Sequence, residues 1–205
     1  MKILFVSAHP DDIEFSCSGL IKNLLKKNEV YFLICTNGAL GDPKVQRIKE
    51  LKDVLRQYKK IGNIKCSLLN LKECEITRKD TIFLEEKIKE IKPDIIFTHW
   101  NEDTHQDHII VSENIKSICY RNNINLIFFD SVSSLNFKPN LFLPIDFSFK
   151  KKIIKKFKST YKKYFNKIKK RALYYSDNDE KFYEVYKADR IFFNKKIMKI
   201  FFEEK

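Results

Sequence analysis

Residues 3–12 read ILFVSAHPDD, and the change of character after Val6 decides the fold. Ile3, Leu4, Phe5 and Val6 are apolar at every position instead of every second one, the pattern of a strand covered on both faces. The chain then turns polar within two residues: Pro10 constrains the backbone, and His9, Asp11, Asp12 and Glu14 crowd together. A doubly covered strand implies a parallel sheet with helices on each side, and in such sheets ligands collect at the carboxyl ends of the strands. Chemistry is therefore expected in the loop that begins at Ala8.

The rest of the chain repeats this plan. Apolar, β-favouring runs recur at 30–35, 66–69, 95–98 and 126–129, separated by helix-like segments near 16–28, 44–61, 78–91 and 107–121, with Pro93 closing the third. The alternation predicts an α/β fold, a mostly parallel sheet with helices on both faces. A length of 205 residues, with no Gly- or Ser-rich linker and no internal repeat, suits one domain.

A formal net charge of +13 suggests nucleic acid until it is located. Residues 148–171 hold twelve Lys or Arg and no acid, nearly the whole excess. Ile153, Ile154, Phe157, Tyr161, Phe165 and Ile168 recur there at helical spacing, which predicts one amphipathic helix with a lysine-covered outer face. Two readings of that face stay open: a solvated surface, or attraction to an anionic substrate, a membrane surface or nucleic acid. Its aromatics are spaced for a buried face, not for a stacking platform, so nucleic acid is not the expected partner.

Five cysteines (Cys17, Cys35, Cys66, Cys74, Cys119) are scattered and never paired as CxxC, which points to reduced, mostly buried thiols. Met1-Lys2 and a four-residue apolar run are too short for a signal-peptide core or a membrane span, so a cytoplasmic protein is expected. Homo-oligomerisation is open, as is whether the FF pairs at 192–193 and 201–202 pack on the core or on a second subunit.

Three strand-end loops stand out: AHPDDIEF (8–15), TNGALGD (36–42) and HWNEDTHQDH (99–108). Gly38 and Gly41 permit a tight turn with close backbone approach to a ligand. No GxGxxG or Walker-type loop occurs, so a nucleotide cofactor has no motif support. All four histidines lie in these loops: His9 in the first, and His99, His105 and His108 in the last. Loops after the first and fourth strands can be neighbours in a parallel sheet, which would bring His9 and Asp12 to His108. Two imidazoles and a carboxylate leave a fourth position open, as a catalytic zinc requires. For the Asp11-Asp12 pair two readings are open. One carboxylate ligates while its neighbour accepts a proton from water, or the pair caps the helix that follows.

Taken together, these residues resemble a known family. His9-Pro10-Asp11-Asp12, with Ala8 ahead and Glu14 behind, and Asp103-Thr104-His105-Gln106-Asp107-His108 are similar to the paired motifs of the PIG-L/LmbE-like zinc-dependent N-deacetylases. Thr36-Asn37-Gly38 with Gly41, Arg47 with Glu50, and Glu180 with Phe182 are weaker likenesses. The resemblance implies a Rossmann-like fold and a Zn2+ ion held by His9, Asp12 and His108. It implies Asp11 as general base, His105 as the oxyanion stabiliser with Asp107 holding its imidazole, and Arg47 on substrate hydroxyls. The implied reaction removes the acetyl group from an N-acetylhexosamine (GlcNAc-type) conjugate, free or glycan-linked, and releases acetate and an amino sugar. A non-sugar amide substrate, and iron in place of zinc, stay open.

The chain departs from the family in three places. Ser16-Cys17-Ser18-Gly19 stands where relatives carry a glycine-rich run, Ala39 replaces an acid that would reach a sugar hydroxyl, and Phe157 precedes Ser159-Thr160 where many relatives have a histidine before Ser-Gln. None touches the implied ligands or base, so an active enzyme is expected. His99 and Trp100 are either strand-end packing or a wall of the sugar site, and Glu14 has no assigned role.

Overall fold

The structure, a computed structural model, describes residues 1–40, 46–176 and 181–192. Gly41, Glu180 and the phenylalanines at 193, 201 and 202 lie outside the described residues. Seven strands form one sheet: β1 (Lys2–Ser7), β2 (Glu29–Thr36), β3 (Ile64–Leu71), β4 (Ile95–His99), β5 (Asn125–Phe129), β6 (Leu141–Ile145) and β7 (Phe182–Arg190). Six α-helices accompany them: α1 (Asp12–Leu24), α2 (Arg47–Tyr58), α3 (Thr81–Ile91), α4 (Gln106–Asn122), α5 (Phe147–Ile154) and α6 (Tyr161–Tyr174). No helix among the described residues is long and apolar enough to cross a membrane.

The sheet order is β3-β2-β1-β4-β5-β7-β6. The five predicted strands are all present and run parallel. Continuous hydrophobicity divides their side chains between two cores. Ile3, Phe5, Phe32, Phe97 and Phe129 face α1, α2 and the α5–α6 pair. Leu4, Val6, Leu33, Ile96 and Phe128 face α3 and α4. Phe5 and Phe97 stack at 4.7 Å where β1 and β4 pair. Helix ends follow local chemistry: α3 stops at Lys92 (φ 53) just before Pro93, and α4 at Asn123 (φ 52), each in the left-handed conformation that closes a helix.

The sheet is mostly parallel, as expected, with an antiparallel edge in which β7 pairs with both β5 and β6. The edge strand β6 alternates half-buried and exposed residues and carries Pro144, and β7 includes Glu184, Lys187, Asp189 and Arg190. Neither has the continuous apolar run of a doubly covered strand, so neither stands out in the sequence. One expectation is corrected, and it concerns the basic segment: residues 148–171 are not one helix. The chain breaks between α5 and α6, where Phe157 is buried and its backbone carbonyl takes the N–H groups of Thr160 and Tyr161. Nor are all its cations solvated. Lys150 is buried and paired with Glu184 at 2.6 Å, and Arg171 is held by Asp130. Glu184 also accepts the N–H groups of Gly19 and Leu20 at 2.8 Å each, tying β7 to α1.

Left of β1 the order runs through β2 and β3; right of it the chain resumes at β4. The switch in strand order therefore falls between β1 and β4, where two successive connections leave in opposite directions and open a crevice at the carboxyl ends. All four histidines lie at the carboxyl ends of those two strands or just beyond: His9 in the loop after β1, His99 closing β4, and His105 and His108 at the head of α4.

Candidate active site

Asp11 opens α1 with φ 145, a region that disfavours any side chain, and its carboxylate makes no capping hydrogen bond. Instead, Asp11 Oδ2 accepts a 2.9 Å hydrogen bond from the Thr160 hydroxyl and lies 3.9 Å from Arg47 Nε. Asp12 Oδ2 accepts the His9 backbone N–H at 2.8 Å. The helix-cap reading of this pair is thus set aside: the tight turn aims both carboxylates into the crevice.

Three side chains converge there. His9 Nδ1 lies 3.3 Å from Asp12 Oδ2, His108 Nε2 lies 3.4 Å from Asp12 Oδ1, and the two ring nitrogens are 3.3 Å apart. A tetrahedral zinc with bonds of ~2.0–2.1 Å needs ligand atoms about 3.3–3.4 Å from one another. The donor set and spacing therefore fit such an ion.

Each imidazole has a carboxylate on its far nitrogen. His9 Nε2 donates to Asp107 Oδ2 at 3.2 Å, and His108 Nδ1 faces Asp103 Oδ2 at 3.1 Å. These partners fix ring orientation and tautomer, the usual outer support of a metal-ligating histidine. Asp103 is itself held by the Ser131 hydroxyl at 2.7 Å. Below, His99 is fully buried, accepts the Ala8 N–H through Nε2 at 3.1 Å and stacks on His108 at 3.9 Å. Trp100 packs edge-on against Phe128 and Phe137. The packing reading of His99 holds: it braces a ring of the site and is too deep to touch a sugar.

The Asp107 expectation is adjusted. Its carboxylate bonds His9 Nε2 and the Cys74 N–H (2.8 Å), whereas its backbone N–H donates to His105 Nδ1 at 3.3 Å. Asp107 thus orients His105 through the main chain, at the start of α4. With Nδ1 accepting, the neutral ring keeps its proton on Nε2. Burial and the His9 and His108 charges lower the His105 pKa, which keeps it neutral.

Electrostatics separate the two aspartates. Against burial, His108, His9 and His99 hold Asp12 well below the usual carboxylate range. Burial and the Asp12 charge push Asp11 up to about 7, although Arg47 and Thr160 oppose that rise. An ionised ligand beside a carboxyl poised near neutrality is a division suited to metal binding and proton transfer.

Gly38 is a close-approach residue, but what it approaches is the protein's own side chains: at φ +70, a Cβ there would lie 2.7 Å from Pro10 Cδ and 3.0 Å from Arg47 Cδ. Arg47, at the head of α2, is thereby pressed toward Asp11. Glu50, one turn on, accepts the Ser159 hydroxyl at 2.6 Å and its N–H at 3.1 Å, which fastens the α5–α6 break over the site. Sequence reasoning missed the roles of Asp103 and Ser131, although Asp103 stood inside the second motif. The expectation that the departure at Phe157 and Ser159-Thr160 leaves the base untouched is corrected: Thr160 bonds Asp11 directly, and no local pattern marks that distant partner.

A profile of the PIG-L family, described as GlcNAc-PI de-N-acetylase, matches residues 4–119. No curated protein matches the chain by sequence. Among solved structures, N,N'-diacetylchitobiose deacetylase from Pyrococcus horikoshii is 19% identical with a TM-score of 0.77, over 91% of this chain and 82% of that one. A conserved protein from Thermus thermophilus is 18% identical with a TM-score of 0.77, over 94% and 96%. A 4-carboxy-2-hydroxymuconate hydratase, GalB, from Pseudomonas putida is 16% identical with a TM-score of 0.72, over 94% and 98%. At these identities the likeness establishes the fold. That a hydratase shares it means the reaction must be argued from the residues.

Proposed function

Because this chain belongs to the PIG-L family, we propose that it is a zinc-dependent N-deacetylase acting on an N-acetylhexosamine conjugate. The observation that carries the reading is the convergence of His9 Nδ1, an Asp12 carboxylate and His108 Nε2 at 3.3–3.4 Å, with the carboxyl of Asp11 beside them. The structure of a 19%-identical relative described as a diacetylchitobiose deacetylase agrees with it.

A zinc ion held by His9, Asp12 and His108 would supply Lewis-acid polarisation of the acetamide carbonyl and a lowered pKa for water. The other roles fall to side chains. Asp11 accepts the proton of the water that attacks the carbonyl carbon, and returns it to the amine nitrogen as the C–N bond breaks. Attack converts the carbonyl oxygen to an oxyanion, and His105 Nε2–H is the donor placed to meet it. Thr160 and Arg47 hold the Asp11 carboxylate in one orientation, and the outer edge of Arg47 is left to contact sugar hydroxyls. Water and amide are consumed; acetate and an amino sugar leave.

The test is acetate release from N-acetylglucosamine-containing substrates by zinc-loaded protein, with metal analysis showing about one equivalent of zinc. Asp11→Asn is expected to lower kcat by about 10²–10⁴-fold while keeping the metal. Full activity of that variant would remove Asp11 from the mechanism. A metal-replete protein that releases no acetate from any such substrate would overturn the reading.

A further inference from the structure

A second set of donors borders the first. Cys74 Sγ, a ring nitrogen of His105 and a carboxylate oxygen of Asp107 lie within 4.8 Å of one another, and Glu73 brings a carboxylate oxygen within the same distance of a His105 nitrogen. The Cys74 residue is exposed. Asp107, by contrast, is 1% exposed, and its Oδ1 accepts no hydrogen bond among the described residues. A buried carboxylate oxygen without a donor is costly unless a cation or an ordered donor meets it.

The backbone presents the thiol deliberately. Cys74 has φ 64, the left-handed region where glycine or asparagine would sit at less cost. Both of its peptide groups are pinned to the head of α4: its N–H donates to Asp107 Oδ2 at 2.8 Å, and its carbonyl accepts from Gln106 Nε2 at 2.6 Å. The strained residue thus stays in place with its side chain free.

We propose that Cys74, His105 and Asp107, with water as the fourth ligand, form a second site for a thiophilic divalent ion such as Zn2+, and that filling it shuts down the catalytic centre. Thiolate, imidazole and carboxylate together suit zinc, cobalt or cadmium and not magnesium or calcium. Tetrahedral bonds of ~2.3 Å to sulfur and ~2.0–2.1 Å to nitrogen call for donors about 3.3–3.8 Å apart. The required closure of roughly an ångström is within reach of a rotation of the exposed Cys74 side chain. On binding, the thiol releases its proton to solvent and the ion takes the Nδ1 lone pair of His105, displacing the Asp107 N–H that Nδ1 accepts in the free protein while the ring proton stays on Nε2. The ion also competes for the carboxylate that supports His9. The inhibitory half of this inference rests on the role proposed for His105; the binding half does not.

Cobalt(II) reads the second site directly, because the His9, Asp12 and His108 set contains no sulfur. Titrating metal-free protein with cobalt is expected to produce a thiolate-to-cobalt charge-transfer absorption in the near ultraviolet. Cys74→Ser should lose it, and Asp107→Asn should need at least the roughly tenfold more cobalt that even a lost outer partner costs. No band at saturating cobalt, or one undiminished in Cys74→Ser, overturns the site. Zinc above one equivalent is expected to inhibit acetate release, and Cys74→Ser to require roughly tenfold or more zinc for half-inhibition relative to its own one-equivalent rate. Equal zinc sensitivity overturns the inhibition. If no N-acetyl substrate is hydrolysed at all, the proposed activity fails and the cobalt band still decides the second site.

Discussion

The Thr160 hydroxyl donates to Asp11 Oδ2 at 2.9 Å across a sequence separation of 149 residues. A hydrogen bond to a charged acceptor is worth ~1.5–3 kcal/mol when the partner is buried. Thr160→Val is therefore expected to lower kcat by about 10–100-fold with little change in KM, since the contact orients the proposed base and touches no substrate. Because the bond favours ionised Asp11, its loss should also move the acid limb of the kcat profile to higher pH. Thr160→Ser should restore both. An unshifted acid limb, or no rescue by serine, would reduce Thr160 to a packing residue.

Asp103 and Asp107 hold the far nitrogens of His108 and His9 at 3.1 and 3.2 Å. Asp103→Asn and Asp107→Asn are each expected to weaken binding of the first equivalent of zinc about 10–100-fold. Competition with a chromogenic chelator measures this. Wild-type affinity in both variants would mean that neither carboxylate supports the ligands.

The sequence exposes the sheet and hides its edge for one physical reason. Strands covered on both faces, such as Ile95–His99, write themselves as unbroken apolar runs, whereas Phe182–Arg190 pairs at the antiparallel margin and mixes Val185 and Tyr186 with Glu184 and Lys187. The ligand-type residues were legible because two short motifs carry them on adjacent strand ends. Thr160, the Lys150–Glu184 pair and the Ser131 support of Asp103 were not, because each joins segments at least 28 residues apart with no local pattern to mark them. The lysine run misled in a further way. Periodicity sees Phe157 as one more apolar position in a helix, but the backbone breaks there to deliver Thr160 to Asp11.

In the metal-free protein His9 and His108 are held protonated. Burial opposes the charge, but Asp12, aided by Asp107 at His9 and Asp103 at His108, overrides it and raises the two to about 10 and about 9. A zinc ion bound as proposed would have to displace those protons, so near pH 7–8 binding should release about two protons and tighten by about a hundredfold per pH unit. Calorimetry in buffers of different ionisation enthalpy counts them. The same shifts set the stability of the metal-free fold. A raised histidine stabilises fully below its unfolded pKa of about 6.5, and the benefit is lost as pH rises through about 9 to 10. Proton release near zero would show both imidazoles neutral before metal arrives.

Glu14 is fully buried, and neither carboxylate oxygen has a partner among the described residues. Burial, reinforced by Asp11 and Asp12, pushes it up to about 8 from an ordinary 4.5. Between those values the folded chain keeps a proton that the unfolded chain gives up. The Glu14 contribution to stability should therefore fall with rising pH across that window, by about 1.4 kcal/mol per unit at most, and level off above it. Glu14→Gln carries the same shape with no proton to lose. Whatever constant cost the buried amide adds, the variant is expected to gain on the wild type steadily as pH rises from about 4.5 to about 8. Denaturant unfolding of the metal-free proteins across that range reads the difference. Parallel stability curves would mean that Glu14 is ionised in the fold, and an unseen donor or cation would then have to be holding it.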